Sequence, residues 1–374
     1  MNHLETLREL VAIPSMTNHE SELAAYVYEK SEAPDHDVTR WGENVAVLVP
    51  GKDRSKAFLL CTHLDTVPPS PAQPPYTLTQ SATDPDRWHG LGASDAKASI
   101  ALMLGQLEDL RETEPQYDTW LLFTSGEEVN NRGAEQLITH WFVPRHLGRY
   151  ATVGGIILEP TIDKDGQLFA SPGHRNGLIL EASAQGPGGH GSRELPDGAA
   201  ATEKLCAFTA HTLPHIRADW GEKYRDDLLG PSTLNLTDPR GSDRHNVVPQ
   251  HAVWTFDMRA NRALVEALDD EIVRLNQEYG AEYDVTITAP WKSANTVCPD
   301  DAYILRTLRR ALPDVAHRAF PGATDLHIFL RHNIPMVMFG GPGEIEAMHQ
   351  PNEWVRLSSI RRCAVAIGTL MEHY

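Results

Sequence analysis

Phe58-Leu59-Leu60-Cys61-Thr62-His63-Leu64-Asp65 is the stretch on which the fold turns. Its first five residues read as a buried strand, and the strand runs straight into an imidazole and a carboxylate. The theme repeats on either side. Upstream, residues 45–49 (Val-Ala-Val-Leu-Val) read as a strand, residues 3–12 carry Leu4, Leu7, Leu10 and Val11 at helical spacing, and residues 20–30 read as a second amphipathic helix. Downstream, residues 99–110 predict a helix, 120–124 a strand, 133–140 the start of a helix, 155–158 a strand and 335–339 a fifth strand. Continuous apolar strands alternating with helices predict an α/β layer, a mostly parallel sheet with helices on both faces.

The middle of the chain differs. Residues 178–184 and 252–259 look like half-exposed strands, 197–215 and 262–279 like helices, and 283–288 alternates again. That β-α-β-α-β order predicts a smaller α+β domain at 176–289, inserted into a discontinuous domain of 1–175 and 290–374. A length of 374 residues suits two domains.

Composition narrows the function. The formal net charge is −18, from 33 Lys and Arg against 51 Asp and Glu, and such a surface repels phosphate backbones and anionic lipid. Nucleic-acid and membrane partners are therefore not expected. No apolar run approaches the roughly 20 residues of a membrane span, and residues 1–5 (Met-Asn-His-Leu-Glu) lack a basic segment leading into an apolar one. Cys61, Cys206, Cys298 and Cys363 lie far apart, forming neither a disulfide framework nor a thiolate metal site. They suit a reducing, cytoplasmic location.

Five strand ends each deliver a carboxylate or an imidazole. After 58–62 come His63 and Asp65; the turn before the 99–110 helix holds Asp95; the 120–124 strand leads to Glu127 and Glu128; the 155–158 strand leads to Glu159; and His349 follows the last strand and its glycines, 340–343. In open α/β sheets, sites form where the loops at the carboxyl ends of the strands meet. Imidazoles with several hard carboxylates suit zinc, and less often manganese or cobalt. In His63-x-Asp65 both side chains point to one side of an extended segment, so Asp65 can accept the second ring N–H of His63. Glu127 and Glu128, if extended, diverge, one toward a metal and the other toward an attacking water. A carboxylate between two metals roughly 3.5–4 Å apart makes a clamp that acidifies a bridging water and polarises a carbonyl.

Each feature alone has a plainer reading. His-x-Asp is commonly surface polarity, a Glu-Glu pair a solvated helix face, and Asp95 a helix N-cap. Gly90-x-Gly92 suggests a dinucleotide loop, but Asp95 occupies the third glycine position. Neither a G-x-S-x-G elbow nor a G-x-x-x-x-G-K-[ST] loop occurs, so serine-hydrolase and nucleotide readings lack their core residues. The ordered combination after successive strands is far more specific than any part of it.

Taken together, residues 63–68 (His-Leu-Asp-Thr-Val-Pro), 90–97, 125–128 (Ser-Gly-Glu-Glu), 158–161 (Leu-Glu-Pro-Thr) and 349–353 (His-Gln-Pro-Asn-Glu) resemble the co-catalytic di-zinc amidohydrolase/peptidase family. That family includes acetylornithine deacetylase, succinyl-diaminopimelate desuccinylase, carboxypeptidase G and several dipeptidases. The resemblance runs from about residue 3 to residue 370. It implies two zinc ions, with Asp95 bridging them, His63 and Glu159 completing one site, and Glu128 and His349 the other. It implies Glu127 as general base and Asp65 as the residue that orients His63. The inserted domain resembles the family's lid and dimerisation domain. There, His190 in the 186–192 segment would stabilise the oxyanion, in many members from the partner subunit of a homodimer. Asn246 and Arg259 match substrate-binding positions, the arginine suiting a substrate carboxylate. Gly322 and Thr324 match a substrate loop of the larger domain.

The implied reaction is hydrolysis of the amide bond of an N-acyl amino acid, with a metallo-dipeptidase or carboxypeptidase as the alternative. A non-catalytic binding protein on the same scaffold is the rival from another class, and an intact ligand set argues against it. Two departures, Ala98 where the family usually has glycine and the run Val129-Asn130-Asn131 after the glutamate pair, bear on substrate identity rather than on the metal set.

Overall fold

The computed structural model describes residues 2–33, 36–71, 74, 76–242, 244–292 and 296–374. The chain divides into two compact units, one of Met1–Gly173, Val297–Phe320 and Thr324–Tyr374, the other of His174–Thr296 and Pro321–Ala323.

The first unit is built on a six-stranded sheet. Its order is Asp37–Trp41, Asn44–Val49, Tyr117–Thr124, Asp53–His63, Thr152–Ile157 and Met336–Met338. The last four strands are mutually parallel, and the first two add an antiparallel hairpin at one edge. Every residue of Asn44–Val49 and residues 57–63 of the central strand are buried. Continuous apolar runs are what a sheet covered on both faces requires. The strands pack so closely that a Cβ on Gly155 would lie 1.9 Å from the Leu59 carbonyl oxygen, so only glycine fits there.

The topology explains where a site can form. From the central Asp53–His63 strand, the chain passes to Tyr117–Thr124 on one side and then to Thr152–Ile157 on the other. Crossovers that diverge in this way leave a crevice at the carboxyl ends of the strands. His63 pairs with Thr124, and Cys61 with Ile157, so His63, Glu127 and Glu159 all follow strand ends at that crevice. Between the first two of these parallel strands runs the Lys97–Glu112 helix, whose residues 97–107 are all buried.

The second unit is a four-stranded antiparallel sheet, ordered Thr233–Arg240, His251–Ala260, Asn176–Gln185 and Val285–Lys292. Helices Ala201–Lys223 and Arg262–Leu275 carry its core, in which Leu180, Phe208, Phe256 and Leu268 are buried. The order is β-α-β-β-α-β, one strand more than the sequence pattern suggested. The added strand, Thr233–Arg240, is an irregular edge strand with a register shift before Asp238, and it contains Pro239. Proline is tolerated at an edge, and it hides a strand from pattern reading. The last strand starts at Val285 rather than Tyr283, which closes a short helix. Among the described residues, no helix is long and apolar enough to cross a membrane.

Candidate metal centre

Gly126 ends the Tyr117–Thr124 strand by adopting φ +71°, a left-handed conformation that glycine takes without penalty. Its N–H donates to Glu20 Oε1 at 3.1 Å, and the Ser125 N–H to Asn44 Oδ1 at 2.9 Å. The chain then turns into the short helix Glu127–Asn130. Glu127 and Glu128 are therefore helical, not extended; consecutive helical side chains still diverge, by about 100°. The buried Asp65 carboxylate accepts the N–H groups of Glu127 (3.0 Å) and Glu128 (3.1 Å) and the Thr17 hydroxyl (2.8 Å). It thereby satisfies the first two open N–H groups of that helix.

His63 is 2% exposed. Its Nδ1 lies 3.0 Å from the Asp65 main-chain oxygen and 3.5 Å from the Asp65 carboxylate, so the carbonyl is its nearer partner. A carbonyl only accepts, so Nδ1 carries the proton. Nε2 then points at Asp95 Oδ1, 2.8 Å away. Asp95 Oδ2 in turn lies 3.4 Å from His349 Nε2, and that nitrogen is 2.9 Å from Glu128 Oε2. Ligand atoms of His63, Asp95 and Glu128 all fall within 4.8 Å of one another. His349 sits in a left-handed turn, φ +58°. Glu159 is 4% exposed, and its charge acts on this same group.

The electrostatics follow from packing acids around two imidazoles. Burial and then the charge of Glu159 push Glu127 well above the usual carboxylate range. Glu159 is also raised, by burial and by Asp95 and Asp325, against the pull of His63. Asp95 is lowered: burial opposes ionisation, but hydrogen bonds from His349 and His63 outweigh it. Hydrogen bonds to Asp95 and Glu128 raise His349 to about 10. Burial disfavours a charged His63, yet Asp65 and Asp95 raise it well above the usual imidazole range.

This donor set fits a cation. With Nδ1 committed to a carbonyl, His63 Nε2 faces a carboxylate oxygen either with a second proton or with a lone pair that only a cation can reconcile. His349 Nε2 is likewise set between two carboxylates, those of Asp95 and Glu128. A metal would replace those protons and balance the crowded acids.

Several supporting residues escaped the sequence reading. Glu353 is 2% exposed and accepts the N–H groups of Gly92 (2.7 Å), Ser94 (2.7 Å) and Asp95 (2.8 Å), so it shapes the loop that presents Asp95. Burial raises it to about 8. Lys97, lowered to about 7 by burial, donates to the carbonyls of Leu10 (2.9 Å) and Ile13 (2.6 Å). Asp325 is buried and accepts from the Thr124 hydroxyl (2.7 Å) and Asn131 Nδ2 (3.0 Å). Glu353 stands inside the His349–Glu353 motif and Asp325 beside Thr324, which was the only available signal.

Thr324 is fully buried; its hydroxyl accepts the Leu326 N–H (3.2 Å) and lies 3.2 Å from Met338 Sδ. Gly322 is half-buried. In the second unit, a short antiparallel ribbon pairs His190 with Val247, next to the exposed Asn246, whose carbonyl accepts the Gly191 N–H. His190 is exposed, and its Nδ1 accepts from the Ser192 N–H (3.3 Å), which places the ring proton on Nε2. Arg259 is engaged bidentately by Asp257, Nε–Oδ1 and Nη2–Oδ2 both at 3.0 Å.

Fold and site together define a metallohydrolase-type α/β protein with a carboxylate–imidazole centre at the switch point of its sheet. Residues 59–373 match the family described as "Peptidase family M20/M25/M40". The chain is 29% identical over 381 residues to a probable carboxypeptidase of Aspergillus clavatus, covering 98% of this chain and 81% of that one. To a probable carboxypeptidase of Aspergillus flavus it is 30% identical over 272 residues, 67% of this chain but only 62% of that protein's length. It is 24% identical over 404 residues to acetylornithine deacetylase of Proteus mirabilis, covering 99% and 96% of the two chains. A tripeptidase from Staphylococcus aureus has the same fold, with a TM-score of 0.75 at 20% identity over 99% of this chain and 97% of that one. The chain belongs to peptidase family M20/M25/M40.

Proposed function

We propose that this protein hydrolyses the amide bond of an N-acyl amino acid, using two divalent cations held around Asp95. The observation that carries the reading is the disposition of Asp95, one oxygen facing His63 Nε2 and the other His349 Nε2. In this reading His63 and Glu159 complete one site, and Glu128 and His349 the other. Mixed imidazole and carboxylate donors favour zinc, with cobalt or manganese acceptable to the same set. Bound there, the cations would polarise the scissile carbonyl and acidify the attacking water.

The protein's own residues do the rest. Glu127 takes a proton from the water at its carboxylate and gives it to the leaving nitrogen. Asp65 holds the backbone from which Glu127 and Glu128 project, and its main-chain oxygen sets the ring of His63. From the second unit, His190 is assigned to the oxyanion; its Nε2–H tautomer supports that role. Asn246 and Arg259, with Gly322 and Thr324, are assigned to substrate. A homodimer formed through the second unit belongs to the same reading.

The second reading, a carboxypeptidase or dipeptidase, draws support from the names of the Aspergillus relatives. Zinc-loaded protein assayed on N-acetyl- and N-succinyl-amino acids beside free dipeptides separates the two. Faster release from the acylated series supports the deacylase, faster cleavage of dipeptides the peptidase, and no turnover by protein holding two zinc equivalents defeats both.

A further inference from the structure

Asn131 joins the proposed base to a buried acid that the metal set does not use. It closes the Glu127–Asn130 helix in a left-handed conformation, φ +53°, with its N–H on the Gly126 carbonyl at 2.9 Å. Its side-chain amide has two hydrogens to give. Nδ2 lies 3.0 Å from Asp325 Oδ1 and 3.5 Å from both the main-chain oxygen and Oε1 of Glu127. One hydrogen thus goes to Asp325, and the other faces Glu127. Asp325 cannot swing away, because Thr124, the buried last residue of the neighbouring strand, donates to its other oxygen at 2.7 Å.

Resting on the reading of Glu127 as base, we propose that Asn131 is a positioning residue, clamped by Asp325, that sets the direction of the Glu127 carboxylate. The choice of residue fits two demands at once. Asparagine is among the few side chains that tolerate the left-handed region. A neutral amide also orients a carboxylate without the opposing charge that would strongly depress its basicity. Glycine would meet the first demand only, and aspartate would turn the donor toward Glu127 into an acceptor.

Those two substitutions make the test. Asn131→Gly keeps the backbone and removes the amide; Asn131→Asp keeps shape and removes the donors. On an N-acetyl amino acid or dipeptide that the wild type cleaves, both should lower kcat about tenfold, with KM and bound zinc unchanged, the scale of loss from a slightly misplaced catalytic group. The acid limb of the kcat profile should move to higher pH in both, further in Asn131→Asp. Asp325→Asn should reproduce the loss, and the Asn131→Gly/Asp325→Asn pair should be no worse than either alone. A readout free of turnover is the crystal structure of each protein: one Glu127 rotamer in the wild type and several in Asn131→Gly. Wild-type kcat in Asn131→Gly, additive losses, or an unmoved Glu127 rotamer overturns the proposal. A wild type without activity counts against the base reading, while the rotamer comparison still decides this one.

Discussion

Two buried glutamates, one in each unit, are pushed in opposite directions. Glu159 in the first unit is 4% exposed and Glu271 in the second is 3% exposed. Around Glu271 stand Trp220 Nε1 at 2.8 Å, Lys223 Nζ at 2.5 Å, the Tyr224 hydroxyl at 2.6 Å and the Arg274 guanidinium at 2.6 Å. Burial opposes its ionisation, but these donors, Arg274 foremost, lower it to about 2. Glu159 is surrounded instead by Asp95, Asp325 and Glu128, with His63 as the opposing partner, and it is driven well above the ordinary range. The second unit completes its buried charge from its own side chains; the first leaves a surplus of acids that a cation would balance. That contrast separates a structural ion cluster from a binding site.

The most damaging change to the first region should be Glu127→Gln, which keeps the shape of the side chain and removes the proton carrier. Turnover should fall by about 10²–10⁴-fold while zinc content stays the same. Loss of metal together with activity would instead make Glu127 a ligand, and unchanged turnover would remove it from the chemistry.

Next in size is the opposite response of the two glutamates to one substitution. Glu271→Gln should cost about 1.5–3 kcal/mol in denaturant unfolding, the range for hydrogen bonds to a charged group. Glu159→Gln should leave the metal-free protein as stable or more so, since it removes a crowded charge, while weakening zinc binding. Destabilisation by both substitutions would erase the distinction.

The contrast also has a pH signature. The Glu271 carboxyl is lowered from 4.5 to about 2 by folding, so its contribution is present above about 4.5 and lost as pH falls through about 2. Acid unfolding of the wild type should therefore be steeper across that window than that of Glu271→Gln. In the first region the pKa shift is upward. His349 keeps its proton up to about 10 without metal, and a metal accepts only the neutral ring. Zinc affinity should rise between pH 7 and 9, with protons released on binding, which calorimetry in buffers of different ionisation heat will show. Affinity flat across that range would argue that His349 is not a ligand.

The smallest expected effect lies outside the metal set. Glu353→Gln can keep an acceptor for the Ser94 and Asp95 N–H groups but turns an amide NH2 toward the Gly92 N–H, so zinc should bind several-fold more weakly without loss of fold.

How much of this was readable in the chain follows from the same physics. The strand ends were legible because each lies within a few residues of an apolar run, and residues 58–65 show both the strand and the imidazole and carboxylate that close it. The edge strand Thr233–Arg240 was not, because Asp238 and Pro239 interrupt its alternation. Glu353 lies inside the 349–353 motif and Asp325 beside Thr324, but neither position reveals a role. Their meaning lies in contacts 258 and 201 residues away, which no local pattern encodes. Helical Glu127 and Glu128 could not be foreseen either, since the helix is four residues long and is held open by Asp65 from another strand end. Arg259 shows a different limit: the residue type suited a substrate carboxylate, but only the structure shows Asp257 already in its fork.

The most direct test of the central claim is anomalous diffraction at the zinc edge from crystals of the zinc-loaded protein. The account predicts two peaks flanking the Asp95 carboxylate, one against His63 and Glu159 and the other against His349 and Glu128. A single peak, or peaks remote from Asp95, would contradict it.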